Sequence, residues 1–312
     1  MRKYVFDLSV AIVATGGLFF FLTISPETMH YRALPEERSD PRATILFGGD
    51  LLFDRSIRLA MEREGEDYGL SCIADLLRSA DLVVANLEGP ITSNPSKSAY
   101  AGVEEPDNVT FTFPTTTAHL LARHNIRVVN LGNNHILNFG VEGYRETLEW
   151  LHAARVDYFG DPGAGLANVL RRGYVRGIPL SFINWNDWGG ASQDDILALV
   201  GKEREAGYLS VVYTHWGEEY VPASDRMRDI GHRLIEAGAE IVVGSHPHVV
   251  QEHELYRGKY IYYSLGNMIF DQYWDESVRR GLLLRVEFSP RGVSAVEEIP
   301  IENQKDRRTC PV

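Results

Sequence analysis

The sequence predicts an α/β domain. Short apolar runs rich in β-branched residues alternate with segments of helical periodicity, and turn residues separate them. The predicted strands are ATILFGGD, DLVVANLE, RVVNLGNN, PLSFINW, YLSVVYTHW, AEIVVGSH, KYIYYSLGN and GLLLRVEF. The predicted helices lie between them, at about 55–64, 70–79, 116–124, 141–153, 194–206 and 224–237. A chain of 312 residues that is 44% hydrophobic can fill a large core.

The first 27 residues predict a membrane anchor. Basic residues precede an uncharged run, Leu8–Pro26, whose length approaches the ~30 Å apolar core of a bilayer. The alternative is a cleaved secretory signal, although the run lacks a small-residue cleavage site. Both interpretations export the domain, and the positive-inside bias predicts a single-pass protein of the cell membrane with an extracytoplasmic domain. Residues 28–42 are interpreted as a linker, and residues 43–312 as the folded domain.

Charge and cysteine content exclude some classes of function. The net charge of −12 argues against a nucleic-acid partner, because phosphates are neutralised by clustered Lys and Arg. The two cysteines, Cys72 and Cys310, are far apart and predict neither a disulfide framework nor a cysteine zinc site. Any metal must therefore be held by other side chains.

Two aspartates follow the first predicted strand. Asp50 comes directly after two glycines that let the backbone turn tightly, and it is a candidate metal ligand. The alternative for Asp50 is an ordinary turn aspartate. Asp54 is interpreted as the N-cap of the helix at 55–64.

Glu88 ends the second predicted strand, before a Gly-Pro turn. The glutamate could simply be solvated, but a carboxylate at a strand end can also bridge two cations. The stretch 92–112 that follows shows little periodicity and is interpreted as a long loop with a functional role.

An Asn-His pair follows the third predicted strand. Asn134 is either part of a structural turn, since asparagine readily adopts left-handed geometry, or a metal ligand. His135 beside it could act as a general acid, because a pKa near 6.5 lets an imidazole hold a proton at neutral pH.

Three histidines follow later strands. Pro247 disfavours a helix in the segment GSHPH, so an extended segment is predicted in which His246 and His248 project on the same side. A polar turn with surface histidines is the alternative. His215, at the end of another apolar run, is either a hydrogen-bonded core group or a further ligand.

These polar residues all lie where apolar strands end. In α/β sheets ligands bind at the carboxyl ends of strands, so the strand ends are predicted to converge. Oxygen and imidazole ligands without thiolate suit manganese, iron or zinc in a catalytic site. The aromatic segment 185–188 is either a substrate contact or a pair of packed tryptophans, Trp185 and Trp188.

Six motifs carry a family resemblance. In order, GGD, NLE, NLGNNHILNFG, THWGEEY, GSHPHVVQ and SLGNMIFDQ resemble the CapA-like capsule-synthesis proteins of the poly-gamma-glutamate type, over about residues 43–290. That family looks like a branch of the metallophosphoesterase superfamily. The resemblance implies a four-layer α/β/β/α sandwich, in which two β-sheets pack face to face between helices.

The resemblance also implies roles for individual residues. The site would hold one or two divalent ions. Asp50 and His248 would bind the first, and the second would be bound by Asn134, His215 and His246, with Glu88 between the two positions. His135 takes the place of the proton-donating histidine, and Arg55 and Asn267 look like supporting residues near the site. Leu52 stands where the broader superfamily has a histidine.

The sequence is compatible with three functions. The first is metal-assisted hydrolysis of a phosphoester, in which a metal lowers the pKa of water and His135 protonates the leaving group. The second is a membrane-anchored accessory or scaffold subunit among other capsule synthesis or export subunits. The third is hydrolysis or transfer of amide bonds in an anionic polymer. The motifs do not separate ester from amide substrates.

Overall fold

Two β-sheets form the centre of the chain in the computed structural model, which describes residues 41–162, 166 and 168–312. The strands of the first sheet are β1 (Ala43–Leu51), β2 (Leu82–Leu87), β3 (Ile126–Asn130), β4 (Asp157–Phe159), β11 (Asn267–Ile269), β12 (Arg280–Ser289), β13 (Gly292–Asn303) and β14 (Thr309–Pro311). Their order is β14-β13-β12-β1-β2-β3-β4, and β11 pairs with β1 outside this path.

The second sheet has six strands. They are β5 (Leu170–Val175), β6 (Ile178–Asn186), β7 (Leu209–His215), β8 (Ala239–Ser245), β9 (His253–Tyr256) and β10 (Lys259–Tyr262), in the order β5-β6-β7-β8-β10-β9. Strands β1 to β4 are mutually parallel in the first sheet, as are β6, β7, β8 and β10 in the second. Parallel pairing brings the carboxyl ends of these strands to one edge of each sheet.

Helices cover the outer faces of the sheets. They are α1 (Arg55–Glu64), α2 (Ala74–Arg78), α3 (Thr117–Arg123), α4 (Gly140–Ala154), α5 (Gln193–Glu205) and α6 (Asp225–Ala237). A short helix, α7 (Glu276–Arg279), directly precedes β12, and 3-10 turns lie at Tyr68–Leu70, Ser98–Tyr100 and Pro106–Val109. One apolar cluster packs α1 to α4 on the first sheet, and another packs α5 and α6 on the second. A third cluster, which includes Phe47, Val84 and Tyr213, lies between the sheets. The layers therefore follow the order helix, sheet, sheet, helix.

The eight predicted strands and six predicted helices are present, but one of the predicted strands is divided into two. The run KYIYYSLGN forms β10 in the second sheet and β11 in the first, rather than one strand. Gly266 between them has a φ of 65°, a left-handed conformation that glycine adopts at little cost. The predicted helix at 70–79 is shorter, because a 3-10 turn precedes α2.

Five further strands did not stand out in the sequence. Of these, β4, β5, β9 and β14 lie at sheet edges, and β13 lies beside β14. Strand β5 carries two adjacent arginines and has no buried residue, so it lacks the apolar run typical of a central strand. Charged edge strands of this kind protect sheets from further pairing.

The predicted anchor at 1–27 and the linker at 28–42 lie outside the described residues, apart from the last two positions of the linker. In the part of the chain that the structure covers, none of the helices has the length and apolar character that a membrane crossing needs.

The expectation about cysteine was wrong, because Cys72 and Cys310 form a disulfide. Their Cα atoms are 4.9 Å apart although 238 positions separate them in the chain. Strand β14 returns past the 3-10 turn that precedes Cys72, and spacing along the sequence gives no sign of this proximity. The bond ties the end of the described chain to its first helical region.

Asp54 precedes α1 as predicted, but its side chain does not cap the helix. The buried carboxylate instead accepts hydrogen bonds from the Arg58 guanidinium, the hydroxyls of Ser96 and Ser98, and the backbone N–H of Thr112, at 2.6 to 3.1 Å. Three of these donors belong to the predicted long loop, so Asp54 fastens that loop to α1.

We expect Asp54→Asn to lower the free energy of unfolding by about 3 kcal/mol, because an amide leaves buried donors without an acceptor. Urea denaturation of the full chain in detergent measures the change. Asp75→Asn is the control, since the Asp75 side chain is fully exposed. An equal effect of the two substitutions would contradict the role given to Asp54.

Candidate metal centre

The carboxyl ends of both sheets meet at one cluster of buried polar side chains. Asp50 lies on β1 and His215 ends β7, while Glu88 and His246 directly follow β2 and β8. All four are nearly inaccessible to solvent. The predicted convergence of strand ends is therefore confirmed, with the difference that two facing sheets, rather than one sheet edge, supply the residues.

Glu88 has the most unusual environment in the cluster. Its side chain is 0% exposed, and neither carboxylate oxygen has a hydrogen-bond partner among the described residues. The nearest basic atoms are His248 Nε2 at 3.6 Å and His135 Nε2 at 4.0 Å from Oε1. Burial, and then the charge of Asp50, raise the pKa of Glu88 well above its ordinary value. A buried carboxylate without donors fits a site that takes a cation.

Asp50 is held by hydrogen bonds that aim its carboxylate into the same cluster. It accepts from the side-chain amide of Asn86 at 2.8 Å and from the backbone N–H of His246 at 3.1 Å. Its Oδ2 lies 3.5 Å from Nδ1 of His248. Burial raises the pKa of Asp50 to about 7, although these hydrogen bonds oppose the shift.

His246 and His248 complete a three-residue group with Glu88. One potential ligand atom from each residue lies within 4.8 Å of the other two, a spacing at which the three could hold a metal ion. Nδ1 of His246 is buried, and no residue that the structure describes forms a hydrogen bond with it. Burial lowers the pKa to about 4 for His246 and about 3 for His248, so both imidazoles are neutral at pH 7 and keep a free lone pair.

The backbone of the His-Pro-His segment differs from the prediction. His246 and His248 have φ values of 97° and 57°, so the segment is a turn with left-handed residues rather than extended. The two rings still face the same space, with centroids 5.9 Å apart. Strained backbone of this kind persists where the surrounding contacts hold it, and here the His246 N–H is bonded to Asp50.

Asn267 orients the imidazole of His248. The Asn267 amide nitrogen faces three acceptors, Gln272 Oε1 and the carbonyls of Val278 and His248, at 2.9 to 3.3 Å. Its oxygen therefore faces His248 Nδ1, at 2.9 Å, and accepts a hydrogen bond from the Nδ1–H group. This leaves Nε2 of His248 unprotonated and directed towards Glu88, as a metal ligand requires.

Asn134 and His215 lie together beside the three-residue group. Asn134 Oδ1 is 2.9 Å from Nε2 of His215, whose Nδ1 is 3.0 Å from the Ser245 hydroxyl. The ring centroids of His215 and His246 are 4.8 Å apart, and Nδ1 of His215 is 3.9 Å from Asp50 Oδ1. Burial and the neighbouring imidazoles lower the pKa of His215 well below its ordinary value. The structure thus brings the six predicted ligands into one contiguous cluster.

His135 lies between the cluster and a cavity of about 330 Å³. Its Nδ1 is 3.1 Å from Asn138 Oδ1, and its ring contacts Phe111 with centroids 4.4 Å apart. Burial lowers the pKa of His135 to about 4. Burial therefore favours the neutral imidazole at pH 7, and the general-acid role of His135 stays a prediction.

Arg55 lines the same cavity. Its guanidinium donates to Asn108 Oδ1 at 3.2 Å and pairs with Asp271 Oδ1 at 2.5 Å. The guanidinium carbon lies 5.1 Å and 5.4 Å from the ring centroids of Phe111 and Phe270. Arg55 is therefore a rigidly held cation whose charge is balanced by Asp271.

Several residues of the site were missed by sequence reasoning. Asn86 contacts both Asp50 and His215; it is the first residue of the NLE motif, but it lies inside an apolar strand and no role was predicted for it. Of the two tryptophans, Trp185 packs in the core, whereas Trp188 is 42% exposed with its ring 4.1 Å from that of His246. Leu52 is a core residue in the apolar cluster beneath α1.

The fold and this cluster define an α/β protein of phosphatase-like architecture with a candidate metal centre. A solved structure from Mycoplasma pneumoniae, described as a novel phosphatase, superposes with a TM-score of 0.55 over 85% of this chain and 95% of its own, at 12% identity. The chain belongs to the bacterial capsule synthesis protein family PGA_cap, whose model matches residues 44–272. The predicted family resemblance is confirmed.

Curated relatives agree with the family assignment. The chain is 28% identical to the PGA biosynthesis protein CapA of Bacillus subtilis, over 85% of this chain and 72% of the relative. It is also 28% identical to the capsule biosynthesis protein CapA of Bacillus anthracis, over 86% and 70%. A probable polyglutamine synthesis accessory protein of Mycobacterium tuberculosis is 31% identical over 62% of this chain and 56% of its own length.

The raised pKa of Glu88 makes the stability of the metal-free protein depend on pH. A carboxyl group whose pKa is raised by folding favours the folded state below its ordinary pKa, 4.5, and this contribution is lost as pH rises through the folded pKa. We expect metal-free Glu88→Gln to exceed metal-free wild type in free energy of unfolding by roughly 2 kcal/mol at high pH, with the difference shrinking towards pH 4.

Urea denaturation in a chelator, at a series of pH values, measures this difference. Glu205→Gln is the control, since Glu205 is an exposed glutamate of α5. A Glu88→Gln difference that is constant with pH would show that the buried carboxyl group is not the cause.

Proposed function

We propose that this chain is a metal-dependent hydrolase-like protein of capsule or exopolymer synthesis, of the poly-gamma-glutamate type. The observation that carries the proposal is the buried Glu88 carboxylate, which has no hydrogen-bond donor within the described part of the chain and faces two neutral histidines. Burying such a group is costly unless a cation balances it. Family membership and the capsule-related names of the relatives support the biological setting.

One or two divalent cations would be held by Asp50, Glu88, Asn134, His215, His246 and His248. Oxygen and imidazole donors without thiolate suit manganese, iron or zinc. When bound, such a cation supplies Lewis acidity and lowers the pKa of water towards neutrality. The Nδ1 contact of His248 with Asn267 supports its assignment, because it presents Nε2 as the donor atom.

His135 would act as the proton donor to the leaving group. Its Nε2 side faces Glu88, and its ring forms part of the cavity wall. The imidazole is neutral in the protein alone, so an anionic substrate must raise its pKa before it can hold a proton. Arg55, on the same cavity wall, would orient that substrate. The substrate is a phosphoester or an anionic polymer.

An extracytoplasmic location fits the disulfide. Disulfides persist in oxidising compartments and are rare in the cytosol, so the Cys72–Cys310 bond supports export of the domain. The apolar run at Leu8–Pro26 would then serve as a single-pass anchor in the cell membrane.

We expect His246→Ala and His248→Ala each to weaken Mn²⁺ binding by more than about 100-fold, because each removes a donor rather than a supporting contact. Isothermal titration of the chelator-treated full chain, with elemental analysis of the stoichiometry, measures the loss. His253→Ala is the matched control, because His253 is a half-exposed histidine that pairs with Glu298. Equal Mn²⁺ binding by all four proteins would refute the metal site.

We expect His135→Ala to lower metal-dependent turnover by roughly 10²- to 10⁴-fold while Mn²⁺ affinity stays within a few-fold of wild type. The assay compares a phosphomonoester, a phosphodiester and a gamma-glutamyl amide. His232→Ala is the control, because His232 is a partly exposed histidine of α6 that pairs with Glu254 of β9. Turnover that survives the loss of His135 would remove the proton-donor role.

A scaffold role is the second candidate, and one observation favours it. The Mycobacterium tuberculosis relative is described as a probable accessory protein. In a polymer-forming strain, normal polymer made with a folded His246→Ala/His248→Ala double variant would assign the chain to this role. Loss of polymer with the same variant would favour chemistry at the site.

A further inference from the structure

We propose that residues 303–310, here called the C-terminal clamp, position the metal-site residues Asn267 and His248, and that the Cys72–Cys310 disulfide keeps the clamp closed. The inference deepens the proposed function, since it concerns the same metal centre. The clamp lies beyond residues 44–272, the part that matches the family model.

Asn303 is the central residue of the clamp. It is almost fully buried at the end of β13. Its amide nitrogen donates to the carbonyls of Asn267 and Arg279, at 3.1 and 3.3 Å, and its oxygen accepts from the backbone N–H of Phe270 at 3.1 Å. One side chain therefore holds the backbone of β11 at both ends.

Thr309 adds a second connection from β14. Its hydroxyl lies 2.8 Å from the carbonyl of Met268 and 3.1 Å from Oδ1 of Asn303. Asn303 and Thr309 are also direct partners in the β13–β14 ladder. The clamp thus contacts the backbone at Asn267, Met268 and Phe270 from one side.

Strand β11 needs this support because its own sheet contacts are few. It has three residues, and its ladder with β1 contains only the pairs Asp50–Asn267 and Leu51–Ile269, with a register shift between them. Yet β11 carries Asn267, whose amide sets the tautomer of His248, and the next residues, Phe270 and Asp271, line the cavity. A small displacement of β11 would therefore change the donor geometry of His248.

The disulfide fixes the far end of the clamp. Cys310 follows Thr309 directly and is bonded to Cys72, close to the 3-10 turn at Tyr68–Leu70. A Cβ atom on Gly69 of that turn would lie 2.5 Å from the Ile269 side chain, so the turn packs directly on β11. Dithiothreitol would supply two electrons and two protons, giving two cysteine thiols and its own cyclic disulfide. The end of β14 would then be free to fray.

The test compares variants of the full chain in detergent. Asn303→Ala removes the central contacts, and Thr309→Val is a milder variant that keeps the side-chain shape. The control is Asn125→Gly, which deletes two side-chain hydrogen bonds to the backbone carbonyls of Leu77 and Ala80, outside the clamp, and keeps a φ of 62° accessible.

Three readouts are measured: hydrogen exchange of the peptide covering residues 264–272, the ¹⁵N chemical shifts of histidine-labelled, metal-free protein, and Mn²⁺ affinity. We expect both clamp variants to raise exchange in that peptide and to move the His248 signals away from the Nδ1–H tautomer. We expect Mn²⁺ affinity to fall roughly 10- to 100-fold for Asn303→Ala, as for other residues that support metal ligands. The control should leave all three unchanged.

Reduction tests the disulfide separately. Dithiothreitol should raise exchange in the 264–272 peptide of wild type and have no effect on a Cys72→Ser/Cys310→Ser variant. Unchanged exchange and unchanged His248 shifts in the clamp variants would overturn the proposal. If wild type bound no Mn²⁺, the proposed function would fail, and the exchange and ¹⁵N data on metal-free protein would still decide the clamp.

Discussion

The enclosure of the Glu88 carboxylate is the constraint on which the site depends. Neither oxygen has a donor among the described residues, and the neighbouring carboxylate of Asp50 adds repulsion. The surrounding histidines relieve this only weakly, because burial keeps them neutral. The fold therefore holds two carboxyl groups close together without a balancing charge where the two sheets meet, and protonation or a bound cation would relieve their repulsion.

A network of buried asparagines supports this arrangement. Asn86 donates to Asp50 and accepts from Asn130 and Asn133, and Asn130 in turn accepts from Asn184 of the second sheet. Amide groups can donate and accept at once without adding charge, so they connect the two sheets and leave the charge of the carboxylates unchanged. The charge of the centre is set by its candidate ligands rather than by their supports.

Much of the fold was readable from the sequence, because central parallel strands are long apolar runs and their ends carry the polar motifs. Asp50, Glu88 and His215 could be placed at strand ends for this reason. What the sequence did not reveal depends on contacts between distant segments. The Cys72–Cys310 bond is set by the path of β14, and the hydrogen bonds of Asp54 by the course of its loop. The lowered pKa of His135 comes from burial, which local sequence does not specify.

The wide spacing of the ligands along the chain has a consequence for biogenesis. The hydrogen bond between Asp50 and His246 spans 196 positions, and the disulfide spans 238. Contacts this distant form late, after the chain has paid the entropy of closing large loops. Until they form, the histidines and carboxylates of the cluster lie far apart along the chain. Under the proposed function, the metal centre would therefore assemble only after these distant segments had come together.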